Sequence, residues 1–329
     1  MNIRDLWKKK VTLITASVIV LILIPLIWKG AELLQNSGDT LERGQGARIE
    51  NPVFPYELNR PSQRFELPHC LDEISGLSYL PHNRLACIQD EKGKMYIFDI
   101  DRGDVTEKIT FGDGNDYEDI EIIENIAYIL QSNGTILTVN DFETPDPEVR
   151  SFNTLLSSKN NAEGLAFDDE ANALLIACKD SPHLKKKKKR EELKGKRVIY
   201  RFDLAEEKLS KTPAFIIDME ALQDSMRYSL VGRSIRRLIA LLDPREEDID
   251  FRPSGIAVHP KTRDVYIISS ADRMLIVFNR EGHIIAAEQL NRKIFKQPEG
   301  ICFNPAGDLF ISNERRGGRA TIVRCDYQG

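Results

Sequence analysis

Close-set cysteines are missing from this chain of 329 residues. Its five cysteines, Cys70, Cys87, Cys178, Cys302 and Cys325, stand too far apart for the paired spacing of a metal site. Cys87, Cys178 and Cys302 fall inside apolar runs that read as strands, where a free thiol packs as a small hydrophobe. Histidine is equally sparse: His69, His82, His183, His259 and His283 form no transition-metal cluster. There is no G-x-S-x-G elbow, P-loop or H-E-x-x-H, which removes several common enzyme classes and leaves catalysis open. A large charge excess is absent too. Lys and Arg total 46 against 51 Asp and Glu, and the net charge of −5 gives no general reason to expect nucleic acid. The longest basic run, KKKKKR from Lys185 to Arg190, has no aromatic residue among its lysines and so offers no stacking platform for bases. It reads either as a solvated loop or as a contact for an anionic surface such as lipid headgroups.

What is present is a repeated phrase. It reads Ser75-Gly76-Leu77, Glu163-Gly164-Leu165, Ser254-Gly255-Ile256 and Glu299-Gly300-Ile301, with a degenerate copy at Glu118-Asp119-Ile120. The copies begin at 75, 118, 163, 254 and 299, so the steps are 43, 45, 91 and 45 residues. Two further short apolar runs follow each copy, and four copies show a weaker fourth run. A period near 45 with short strands and recurrent turns predicts a β-propeller, one four-stranded sheet per unit. The units lie at about 69–111, 115–156, 160–218, 251–290 and 297 to the end. The last has no room for a fourth strand, and Arg64-Phe65-Glu66-Leu67 is available to supply it, closing the ring and covering an open edge. Five blades over 62–329 is the expectation, with six as runner-up because the step of 91 is close to two periods. Residues 219–242 carry apolar positions at spacings of three and four and are expected to form a helical insertion between units three and four. In unit two, Asp119 replaces the Gly of the phrase, so closer approach of that strand to its neighbours is expected to be reduced.

Ahead of the repeats, residues 11–28 contain no charge. As a helix they span about 27 Å, marginally enough to cross the hydrocarbon core. Lys8, Lys9 and Lys10 precede the run, and the positive-inside bias then puts the N-terminus in the cytoplasm. The expectation is a bacterial inner-membrane protein with a cytoplasmic stub and single-pass anchor over 1–29, a linker over 30–61 and a periplasmic propeller. A cleaved signal peptide that releases the domain into the periplasm is the alternative.

In a blade the first strand lines the channel and the second runs antiparallel beside it, so the start of one is level with the end of the other. That puts Glu73, Glu118, Glu163 and Glu299 on one rim with Asp90, Asp180 and Glu314. Crowded carboxylates repel unless compensated. These seven are candidate metal ligands, and Ca²⁺, which takes six to eight oxygens in irregular geometry, is the expected cofactor. The competing readings are hydrogen bonds to loop backbone, or simple solvation. His69 and Glu73 are the candidates for a general base. His82 and His259 follow inner strands and read as turn residues at the opposite end.

The phrases EISGLSYLP, NAEGLAFDD, FRPSGIAVHP and QPEGICFNPAGDLFISNE resemble the SdiA-regulated family of bacterial envelope proteins, the YjiK-like group, over about 64–327. The resemblance implies a five-bladed propeller with a calcium-type ion in its central cavity and no established reaction. The family's acidic positions map onto Glu73, Glu163, Glu299 and Glu314. The glycine-bearing inner strands are also similar to six-bladed NHL, gluconolactonase and phytase-like propellers, a likeness of architecture. The functional expectation is a membrane-anchored periplasmic binding or scaffold module with calcium at the channel mouth and a small-molecule or protein partner. The alternative is a calcium-dependent hydrolase of a phosphoester or lactone.

Overall fold

The computed structural model describes residues 54–184, 193–220, 222 and 250–329. The chain enters the ring through β1 (Gln63–Glu66) and a 3-10 turn at His69–Leu71, then builds blade one from β2 (Ile74–Leu80), β3 (Arg84–Gln89), β4 (Lys94–Asp99) and β5 (Asp104–Thr110). Blade two is β6 (Tyr117–Ile123), β7 (Ile126–Gln131), β8 (Thr135–Asn140) and β9 (Glu148–Asn153). Blade three is β10 (Ala162–Asp168), β11 (Ala173–Cys178) and β12 (Lys196–Asp203), whose outer edge is shared by β13 (Lys208–Leu209) and β14 (Phe215–Asp218). Blade four is β15 (Pro253–Val258), β16 (Val265–Ser269), β17 (Met274–Phe278) and β18 (Ile284–Gln289). Blade five is β19 (Pro298–Phe303), β20 (Leu309–Asn313) and β21 (Thr321–Cys325). Its fourth strand is β1, antiparallel to β21 with Phe65 opposite Ile322. The N-terminal strand therefore closes the ring, as its sequence position suggested.

The core is divided among five seams, which decides between five blades and six. Ile88, Ile97, Ile120 and Ile129 fill the seam between blades one and two. Leu130, Leu165, Ile176 and Tyr200 fill the next. Ile199, Phe215, Ile256 and Ile276 join blades three and four. Ile268, Leu275, Ile301 and Val323 join four and five. Leu77, Phe98, Phe310 and Ile322 return to blade one. The inner two strands of each blade are buried on both faces and so read as near-continuous apolar runs such as ALLIAC at β11. A strap before the ring, Phe54, Tyr56 and Leu58, packs into the seam of blades four and five, where Tyr56 Oη donates to Gly307 O at 2.6 Å.

At the axis the inner strands meet at the phrase glycines. A Cβ on Gly255 would lie 2.5 Å from Glu299 O, and one on Gly300 2.6 Å from Ser75 O, so no side chain fits there. In blade two the exception carries a bond of its own: Asp119, 1% exposed, accepts a hydrogen bond from Leu165 N of blade three at 2.7 Å. Glu121 makes a second clasp, accepting from Ser78 Oγ of blade one at 2.9 Å and Phe167 N of blade three at 3.2 Å.

Two helical expectations are corrected. Among the described residues no helix is long and apolar enough to cross a membrane, and the one complete helix is the three-residue turn at His69–Leu71. The described residues form an all-β five-bladed propeller. The segment 11–28 lies outside the described residues, as does 219–242 apart from Met219, Glu220 and Leu222, which are helical, and Leu222 is buried in the seam of blades three and four. The physical reason is that apolar spacing reports burial, not what does the burying, and 18 residues are marginal for a membrane span. The membrane partner, the single-pass inner-membrane topology and the periplasmic placement expected from 11–28 have no supporting helix among the described residues. The basic run at 185–190 also lies outside the described residues.

Candidate functional site

The same irregularity recurs in all five blades. Between the first and second strands the register shifts at Ile74/Leu77, Tyr117/Asp119, Ala162/Gly164, Pro253/Gly255 and Pro298/Ile301. The residue at each bulge is the one before the glycine or its substitute: Ser75, Glu118, Glu163, Ser254 and Glu299. A bulge leaves one residue out of the ladder and re-aims its side chain. Five such bulges around one axis turn five distant positions into one ring.

These residues line a cavity of about 170 Å³ together with Glu73, Ile74, Asp90, Asp116, Lys179 and Glu314. Six of the seven carboxylates anticipated from the repeat, Glu73, Asp90, Glu118, Glu163, Glu299 and Glu314, lie on its wall. Asp180 does not. Its side chain is half exposed and pairs with Arg252 at 3.7 Å. The register explains the difference. Tyr117 faces Gln131, Ala162 faces Cys178 and Pro298 faces Asn313, so the residue after each second strand is Ser132, Lys179 or Glu314. Lys179, not Asp180, is therefore the counterpart of Asp90 and Glu314. By the same register Asp116 is the counterpart of Glu73. Neither was singled out from the sequence, because placing them needs the register at the start and end of each strand. His69 is not on the wall; it is 76% exposed and holds Asp72 at 3.2 Å.

Burial sets the charge state of the cavity. Burial, then the charges of Glu163 and Asp116, push the Glu118 carboxyl up to about 9. Burial and the charge of Glu163 push Glu299 up to about 8. Burial raises Glu163 as well, opposed by the Lys179 ammonium, whose Nζ donates to Glu163 Oε1 at 2.8 Å. Asn161 Nδ2 donates to the same oxygen at 2.7 Å. Burial works against the Lys179 charge, but Glu163, Glu299 and Glu118 outweigh it and hold the ammonium above its usual value. Asp90 and Glu314 are raised by burial first and then by neighbouring carboxylates. Neutral acids and an ion-paired carboxylate thus share one small cavity.

The expected scaffold function, a membrane-anchored periplasmic module with calcium at the mouth, is corrected here. The donors have suitable chemistry, hard oxygens that include the buried and unpartnered Asp90 Oδ1. Yet among the described residues no three His, Cys, Asp or Glu side chains are placed to hold one metal ion. Lys179 stands among the carboxylates as their cation, and protonation relieves the rest of the repulsion.

The opposite end of the channel is built differently. There His259, fully buried, packs against Tyr56, Tyr266, Phe303 and Tyr327. Burial, with the nearby charge of Lys261, lowers its pKa to about 4, so it is neutral and structural.

Among solved structures, Myxococcus xanthus glutaminyl cyclase superposes on the chain with a TM-score of 0.51 at 11% identity, covering 82% of this chain and 96% of that one, a likeness of fold. A luciferin-regenerating enzyme superposes at 0.45 with 8% identity, covering 84% and 95%. A streptogramin B lyase does so at 0.45 with 12% identity, covering 80% and 97%. No curated protein matches the sequence. The SdiA-regulated family model matches residues 57–229, more than half of the chain and three consecutive blades of the propeller. The chain belongs to the SdiA-regulated family.

Proposed function

We propose that the chain is a hydrolase of small esters or lactones, working in the acidic cavity at the channel mouth. One observation carries the reading: Glu118 and Glu299 are held neutral beside Glu163, which is ion-paired to Lys179. Carboxyl groups whose environments separate their protonation states are what acid–base catalysis requires. Water adds to the electrophilic centre of the ester and loses its proton to Glu163. The neutral carboxyl of Glu118 or Glu299 protonates the departing alkoxide as the ester bond breaks, giving acid and alcohol. Lys179, 2.8 Å away, favours the ionised form of Glu163 and orients it. The cavity, at about 170 Å³, admits the reacting group and leaves the rest of the substrate over the rim.

The test is a panel of carboxylic esters, lactones and phosphomonoesters incubated with the full chain, with calcium and with chelator. The expected result is turnover on at least one class, falling above about pH 8 as the acid ionises. Glu163→Gln, and Glu118→Gln combined with Glu299→Gln, should each lower kcat by about 10²–10⁴. Calcium dependence of that turnover is read in the same experiment. No turnover on any class, or turnover that survives all three substitutions, sinks the proposal.

A further inference from the structure

The rim of the cavity is not uniformly acidic. At blades four and five the segment before β19 and the loop after β20 are basic: Arg292, Lys293 and Lys296 on the first, Arg315, Arg316 and Arg319 on the second. Arg273, in the turn between β16 and β17, contacts the first and feels the like charge of Arg316 on the second. Arg273, Lys296 and Arg316 make backbone and amide contacts. Arg273 Nε donates to Lys296 O at 3.1 Å, Lys296 Nζ to Gly317 O at 3.0 Å, and Arg316 Nη1 to Gln297 Oε1 at 3.5 Å. The other end of Gln297 donates to Glu314 Oε2 on the cavity wall. Arg315 is taken by Asp72 at 2.8 Å. Among the described residues, neither Arg273 nor Arg316 forms an ion pair with a carboxylate.

We propose that Arg273, Arg316 and Lys296 form an anion subsite on this rim, one amide side chain away from the acidic cavity. This deepens the hydrolase reading and rests on it for one part, the substrate class: a carboxylic ester or lactone that carries a phosphate or carboxylate group beside its scissile bond. A dianionic phosphate in the cavity itself would meet the carboxylates of the wall, whereas a neutral ester would not. The cavity is too small for a whole substrate, so the remainder must lie on the rim, and this sector of it has the charge to hold an anion. Two or more guanidinium groups converging on one oxyanion give bidentate, charge-assisted hydrogen bonds. Burial, and the like charges of Arg292 and Arg316, hold Arg273 below the usual arginine value, a repulsion that a bound anion relieves.

The experiment titrates inorganic phosphate into the full chain by calorimetry at low salt, with acetate as competitor. The expected result is saturable binding at one site, weakened about tenfold or more by Arg273→Gln or Arg316→Gln and unchanged by Arg102→Gln on blade one. A fold control by circular dichroism accompanies each variant. The second arm compares the p-nitrophenyl esters of acetate and of succinate. Arg316→Gln should raise KM for the anionic succinate ester alone and leave kcat unchanged. Competition by acetate as strong as by phosphate assigns the subsite to carboxylates; weaker competition assigns it to phosphates. Phosphate binding that depends on the arginines, without ester hydrolysis, keeps the subsite and removes the hydrolase. Hydrolysis without phosphate binding, or binding unaffected by both arginine substitutions, overturns the subsite.

Discussion

Replacing Glu118 by glutamine should flatten the dependence of stability on pH. In the native state Glu118 stays protonated up to about pH 9, whereas in the unfolded chain it ionises near 4.5. Between those values the native state binds one more proton than the unfolded state, so stability falls as pH rises. The sign follows from a folded pKa above the unfolded one: the contribution is fully present below pH 4.5 and is lost on the way up to about 9. One proton corresponds to about 1.4 kcal/mol per pH unit. Glutamine keeps the shape and polarity of the neutral acid and cannot ionise. Over the interval from pH 5.5 to 8, the unfolding free energy of Glu118→Gln should therefore fall less steeply than that of the native sequence, by up to that amount per unit. Both tryptophans, Trp7 and Trp28, precede the propeller, so far-UV circular dichroism in a urea series is the suitable probe. Glu107→Gln, on the exposed outer strand of blade one, serves as the control and should run parallel to the native sequence. Parallel profiles for Glu118→Gln would refute the claim that the cavity holds this carboxyl neutral.

Other consequences follow from the packing. Gly300→Ala puts a Cβ 2.6 Å from Ser75 O, a backbone atom that cannot swing aside, and should cost about 1–3 kcal/mol or more in a thermal melt. Asp119→Ala leaves Leu165 N without its acceptor in a dry seam and should lower the unfolding free energy by about 1–3 kcal/mol, read as a lower urea midpoint with the m-value unchanged. Tyr56→Ala removes an aromatic ring that is 5% exposed and its bond to Gly307 O, and should cost about 3–5 kcal/mol by the same assay.

The blade count, the closing strand and the acidic phrase positions were readable from the sequence alone. A period near 45 is imposed by four short strands and their turns, and the need to cover an open edge assigns the strand ahead of the first repeat to the last blade. Glu118, Glu163 and Glu299 were legible because equivalent positions in a ring converge whatever their separation in the chain. Lys179 and Asp116 were not, since placing them needs the register at the start and end of each strand, and counting along ACKD selects Asp180. The sequence likewise could not show that Asp119, in place of glycine, bonds the neighbouring blade, because that depends on the distance between two inner strands. Apolar spacing at 11–28 and 219–242 suggests helices, and both segments lie outside the described residues apart from Met219, Glu220 and Leu222. Only the tertiary structure decided the charge state of the cavity. Burial and the nearness of other carboxylates raise Glu118 and Glu299, and neither quantity exists until five blades close around one axis.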